Sequence, residues 1–284
     1  MARSVNPAAQ REVIPRVKRS LYSWPAPVPS GRLLTWEAGI VRAVAIIPAR
    51  YGSTRFPGKA LAPILGRPMI QWVYERASKV RGVERLLVAT DDERIAGAVL
   101  GFGGEVVMTS RDCPSGSDRV WEAVSGIPCD VVVNLQGDEP ALQPSSVEAL
   151  LELMEDPAVG LGTLVTPIGE RAEYEDPNVV KAVMSEGERC LYFSRSPVPY
   201  LRTCAFEEAV LWRHVGIYAF RRDVLESFVS WPVGRLEALE GLEQLRALEH
   251  GVGVRAAVVE WSGCAVDVPA DVALAEAYLR KEEI

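Results

Sequence analysis

Three cations, Arg50, Arg55 and Lys59, stand in one short stretch, VAIIPARYGSTRFPGK (residues 44–59), with no acidic residue among them. Gly52 and Gly58 let a backbone approach an anion and turn its N–H groups toward it, and Arg and Lys add charge-assisted hydrogen bonds. A polyphosphate is the guest that such a loop suits. It is not a P-loop, because five residues separate the two glycines and Ala60 follows Lys59 where a Ser or Thr would be needed. Two carboxylates, Asp138 in LQGDEP and Asp267 in AVDVP, each follow a short apolar run. Strand-end carboxylates suit a Mg²⁺ shared with phosphate oxygens, although either one alone reads equally well as a helix cap or turn residue. Ser115-Gly116-Ser117-Asp118 has the look of a helix cap, and a small-residue loop there can also hold a base edge or a ribose. Arg195 is able to grip a carboxylate bidentately. His214 is one of only two histidines, which gives zinc chemistry or a His-based triad little support.

These residues need a scaffold, and the hydrophobic pattern supplies one. Apolar runs at 44–47, 84–90, 104–109 and 130–135 predict buried strands, with helices expected over 68–80, 93–100 and 117–124. That alternation predicts βαβ units and an α/β fold with a mostly parallel sheet, whose ligands belong at the carboxyl ends of the strands. The loop at Arg50, the turn at Asp91 and Gln136-Gly137-Asp138 all fall there. From about residue 161 the strands are short and close together, without helices between the first three, which predicts a mixed β insertion over about 161–220. One helix is expected over 235–250, with Leu236, Leu239, Leu242, Leu245 and Leu248 as its core stripe. A last strand is expected at 254–259 and a closing helix at 270–280.

At 284 residues the chain has ample material for a core, and 48% hydrophobic with 24% charged residues is ordinary for a globular protein. A net charge of −7 argues against general nucleic-acid or membrane binding, and no apolar run reaches the ~18 residues of a membrane span. Five scattered cysteines without a C-x-x-C read as reduced thiols of a cytoplasmic protein. Residues 1–40, rich in Pro and Arg, carry no periodic pattern and no apolar signal region. They read as a disordered leader or as a start assigned too early, with Val41 as the initiator. Residues 41–284 are expected to form a single domain.

The strand–PAR–x–x–S–x–R–x–P–G–K stretch resembles the signature loop of nucleotidyltransferases that activate sugars. Together with VATDDERI, LQGDEP, NVVKAV, LYFSRSPVPY, RHVGIYAFR, LEQLRALEHG and VDVPADVALA, in that order, the chain resembles the 3-deoxy-manno-octulosonate cytidylyltransferase (CMP-Kdo synthetase) family of lipopolysaccharide biosynthesis. The resemblance runs from about Val41 to the C-terminus. It implies a Rossmann-like core, a homodimer formed through the β-rich insertion, and a Mg²⁺-dependent reaction of CTP with Kdo, with no nucleic-acid partner. Carried onto matching positions, it gives the triphosphate to Arg50, Ser53, Arg55 and Lys59, and the cytosine to Ser115 and Gly116. It gives magnesium to Asp138 and Asp267, which with Lys59 form the catalytic set. Gln136, Tyr192, Arg195, His214, Glu243 and Gln244 line the sugar-acid pocket. Ser117-Asp118 departs from the usual Thr-Glu and touches base or substrate preference only slightly. Other acceptors within reach of this reading are an 8-amino variant of Kdo, a sialic acid or a sugar 1-phosphate. From a different class, a catalytically silent nucleotide sensor would have no need of the second carboxylate.

Overall fold

The computed structural model describes residues 41–53, 55–261 and 263–282, so the expected leader lies outside the described residues. In chain order the elements begin with strand β1 (Ala43–Ala49) and a 3-10 turn (Lys59–Leu61). A two-residue ribbon, β2 (Pro63–Ile64) and β3 (Arg67–Pro68), leads to helix α1 (Met69–Ala77). Then come β4 (Val83–Thr90), α2 (Glu93–Gly101), β5 (Val106–Met108), α3 (Gly116–Val124), β6 (Val131–Asn134) and α4 (Pro144–Leu153). Next are β7 (Leu161–Pro167), α5 (Arg171–Glu175), β8 (Lys181–Met184), β9 (Arg189–Ser194), β10 (Trp212–Arg221) and α6 (Arg222–Ser230). The chain closes with α7 (Arg235–Glu240), α8 (Leu245–Glu249), β11 (Val254–Val258) and α9 (Asp271–Glu282).

All strands but the ribbon form one sheet of order β5-β4-β1-β6-β10-β7-β11-β9-β8. The first four are mutually parallel, with Ile46 of β1 level with Leu87 of β4 and Asn134 of β6. Both faces of β1 are buried, which is why it reads as an unbroken apolar run. Ala43, Ala45 and Ile47 pack with Ile70, Val73, Ile95 and Val147, whereas Val44 and Ile46 pack with Val120, Leu225 and Phe228. Helices α1, α2 and α4 therefore cover one face, and α3 and α6 the other. Each fully buried aliphatic side chain here contributes about 1.5–3 kcal/mol.

Four strands are parallel as expected, but the sheet as a whole is mixed rather than mostly parallel, and the strands of the 161–220 segment run within it. β10 pairs antiparallel with both β6 and β7, and β11 returns parallel to β7, so these strands are the middle of the sheet. β8 pairs with β9 and also with β10, closing β10, β7, β11, β9 and β8 into a ring. A short helix, α5, also intervenes where none was expected. Three further readings need correction. The helix over 235–250 is two helices, because Gly241 takes φ 63° and ends α7 in a left-handed cap. The break turns Leu239 outward, 73% exposed, while Leu242 and Leu245 stay in the core. Helices α4 and α6 were not anticipated.

Candidate functional site

The chemistry gathers at the carboxyl ends of β1 and β6. Beyond β1 the chain makes a tight loop in which the Tyr51 carbonyl accepts from the amides of Ser53 (2.9 Å) and Gly58 (2.8 Å). The loop delivers Lys59 to the start of the 3-10 turn, while Arg50 and Arg55 remain exposed. Beyond β6, Gly137 passes so close to β1 that a Cβ on it would lie 2.9 Å from the Pro48 carbonyl oxygen. That approach sets Asp138 opposite Lys59, whose Nζ donates to Asp138 Oδ2 at 2.6 Å. The third strand of chain arrives through the Val266 amide, which donates to the Asp138 carbonyl at 2.9 Å. Asp267 thereby comes within 3.3 Å of the same ammonium and 3.1 Å of Arg55 Nη2. Its own amide and that of Val268 donate to the Asp271 carboxylate. Two carboxylates distant in sequence thus converge on a single cation position.

Ser115 caps α3, its Oγ accepting from the Asp118 amide at 3.2 Å and donating to Asp118 Oδ2 at 2.6 Å. Gly116 opens the helix beside Pro48 near the end of β1, so both stand by the loop that follows β1. At the next residue, Ser117 Oγ donates to Glu243 Oε2 at 2.9 Å.

Next to these groups lies a cavity of about 550 Å³ whose lining includes Gln136, Glu139, Arg213, His214, Glu243 and Gln244. Gln136 Nε2 donates to the Gly216 carbonyl at 2.7 Å, and Tyr218 donates to Gln244 Oε1 at 3.1 Å. Three enclosed atoms, Glu139 Oε2, Glu243 Oε1 and Gln244 Nε2, have no hydrogen-bond partner among the described residues. A buried polar atom without a partner costs free energy, so these are groups a ligand would satisfy. Burial, and then the neighbouring Asp138 charge, push the Glu139 carboxyl up to about 8. Burial likewise raises the Glu243 carboxyl, against the hydrogen bond from Ser117. Burial holds His214 down at about 3, so its imidazole is neutral near pH 7, 3.0 Å from Thr163 Oγ1.

Two expected pocket residues are elsewhere. Tyr192 packs on the apolar core and does not line the cavity; alternation along β9 turns Phe193 instead toward the His214 ring, at 4.9 Å. Arg195 is spent on backbone: its Nε donates to the Glu240 carbonyl at 2.7 Å and its Nη1 to that of Pro177 at 3.0 Å. Sequence reading missed Glu139, Arg213 and Tyr218, although each stands within a quoted motif. The signal for Glu139 was its place directly after Asp138.

A family model described as cytidylyltransferase matches residues 44–256. The 3-deoxy-manno-octulosonate cytidylyltransferase of Syntrophotalea carbinolica is 48% identical over 83% of this chain and 98% of its own. The 8-amino-3,8-dideoxy-manno-octulosonate cytidylyltransferase of Shewanella sediminis is also 48% identical, over 82% and 97%. The solved structure of a CMP:2-keto-3-deoxy-manno-octonic acid synthetase complexed with CTP superposes with TM-score 0.81 at 47% identity, covering 85% of this chain and 99% of that one. Matched by that family model over residues 44–256 and by relatives of 48% identity across nearly their whole length, this chain belongs to the cytidylyltransferase family.

Proposed function

We propose that the protein transfers CMP from CTP to the 2-hydroxyl of 3-deoxy-D-manno-octulosonate (Kdo), releasing diphosphate, in the supply of lipopolysaccharide precursors. The observation that carries this reading is the meeting of Lys59, Asp138 and Asp267 beside a cavity with unsatisfied polar atoms. The acceptor hydroxyl attacks the α-phosphorus in line, the P–O bond to the β-phosphate breaks, and the hydroxyl proton leaves to solvent. Most of the catalysis is positioning and charge neutralisation. Arg50, Ser53, Arg55 and Lys59 receive the triphosphate, with Lys59 offsetting charge on the departing diphosphate. Ser115 and Gly116 hold the base side. Gln136, His214, Glu243 and Gln244 orient the sugar acid. Arg195 acts from behind the cavity wall, tying Glu240 and Pro177.

The donor set fits Mg²⁺. Asp138 and Asp267 already share one cation, and hard oxygen ligands few in number are what Mg²⁺ takes when phosphate and water complete its shell. When bound there, the ion supplies Lewis acidity that lowers the pKa of the attacking hydroxyl and counter-charge for the phosphates. We assign the protein to the cytoplasm, in keeping with five free cysteines and with no described helix long and apolar enough to cross a membrane. We also assign it a homodimer contact within 161–220, where Leu191, Tyr200 and Val210 offer exposed apolar surface.

A second acceptor is favoured by a specific observation. A relative named for the 8-amino acid is as similar as one named for Kdo, and two carboxyls, Glu139 and Glu243, face the cavity. Incubation with CTP and a panel of Kdo, 8-amino-Kdo, a sialic acid and a sugar 1-phosphate, with mass analysis of the products, decides. CMP-Kdo as the main product is expected. Product from the sugar 1-phosphate alone would overturn the sugar-acid reading.

A further inference from the structure

We propose that Tyr51 and Arg94 form a brace that holds the phosphate loop in its anion-receiving shape before nucleotide arrives, making both positioning residues of the transfer reaction. The inference rests on the nucleotide reading above and adds to it two side chains outside the cations of the loop.

Tyr51 is the knot of the loop. Its carbonyl takes the amides of Ser53 and Gly58, so one oxygen closes the loop from both ends. Its ring packs under Gly58, where a Cβ would lie 2.9 Å from Cε2 and where the backbone has φ 71°. No larger residue keeps both that turn and that contact. The Arg94 guanidinium carbon lies 3.3 Å from the centroid of the same ring. A planar guanidinium stacks on a ring in a way an ammonium does not.

Arg94 is itself fixed. Asp92 grips it with both oxygens, at 2.9 Å to Nε and 2.7 Å to Nη2. Asp92 also caps α2 through the Arg94 amide, and α2 is anchored in the core by Ile95 and Val99, both fully buried. Rigidity therefore passes from the core through α2, Asp92 and Arg94 to the Tyr51 ring and the loop. Between the loop's ends, Arg55 is 66% exposed and, among the described residues, its side chain reaches only Asp267. Without the brace, ordering the loop falls on nucleotide binding, and a loop that must be ordered on binding lowers affinity.

The test uses the full chain with Arg94→Ala, Arg94→Lys, Tyr51→Leu and Tyr51→Phe. CTP affinity is measured by calorimetry with Mg²⁺, KM separately for CTP and Kdo, and amide exchange over residues 52–58. Arg94 is exposed, so its replacement leaves the core intact. Arg94→Ala and Tyr51→Leu are expected to weaken CTP binding about tenfold and speed exchange in the loop, with the KM for Kdo unchanged. Arg94→Lys is expected to fall with Arg94→Ala, and Tyr51→Phe to behave as wild type. CTP affinity unchanged in both Arg94→Ala and Tyr51→Leu, a parallel rise in both KM values, or equal damage from Tyr51→Phe and Tyr51→Leu would each overturn the brace. Wild-type protein that binds CTP but does not turn over Kdo would overturn only the acceptor reading, because the affinity and exchange measurements need no acceptor. Failure of wild type to bind CTP would overturn both.

Discussion

At the scale of single residues, the account depends on two carboxylates and on a histidine that stays neutral. Asp138→Asn and Asp267→Asn keep the shape of each side chain and remove the charge that meets Lys59 at 2.6 and 3.3 Å. Each is expected to lower kcat/KM at least ~100-fold, the scale of losing a key electrostatic element. Activity close to wild type in steady-state assays of either variant would refute the metal and catalytic assignment. His214 makes a prediction about stability instead. Its folded value of about 3 lies below the ordinary 6.5, so as pH falls the unfolded chain takes up the proton first. Its contribution is fully present above pH 6.5 and is lost toward pH 3, with a limiting slope of about 1.4 kcal/mol per pH unit. Urea unfolding of wild type and His214→Gln from pH 7 to pH 4 checks this. The variant's stability should fall less steeply with acid, and parallel curves would contradict it.

At the scale of elements, Arg195 shows how a side chain acts through the segments it ties. The Glu240 carbonyl it holds immediately precedes residues 241–244 of one cavity wall, and the Pro177 carbonyl precedes residues 178–180 of another. Arg195→Ala should therefore raise the KM for the sugar acid and also lower unfolding stability by about 1.5–3 kcal/mol, as for lost hydrogen bonds to a charged donor. An altered KM with unchanged stability would restore the direct clamp read from the sequence. This difference marks the limit of what could be read. β1, β4, β6 and the helices between them were legible because apolar runs of 4–8 residues alternate with helical spacing. The meeting of Lys59 and Asp138 followed, since the loops after β1 and β6 share one edge of a parallel sheet, whereas Asp267 follows no strand and arrives in a segment nine residues beyond β11, held by the Val266 amide. The place of β10 between β6 and β7 was not legible, because local pattern says nothing of which strand a strand will pair with. The break at Gly241 lay within a leucine stripe that propensity alone would continue. Tyr192 was misplaced because the family motif names a strand, whereas the pleat decides which neighbour faces the cavity.

At the scale of the whole molecule, a parallel half that carries the Lys59 loop meets a closed ring of strands that carries much of the cavity lining, and β10 joins the two. Arg213, His214 and Tyr218 all come from that one strand, and its neighbour β6 leads directly into Gln136, Asp138 and Glu139. The proposed nucleotide and acceptor positions are thereby served from a single strand pair, which suits an in-line transfer between them. The most direct test of this account is diphosphate release by the full chain from CTP and Mg²⁺, with and without Kdo, alongside UTP and ATP as alternative donors. Release that requires Kdo and fails with UTP and ATP is the predicted result. CTP binding without diphosphate release for any acceptor would contradict the account and leave a nucleotide sensor in its place.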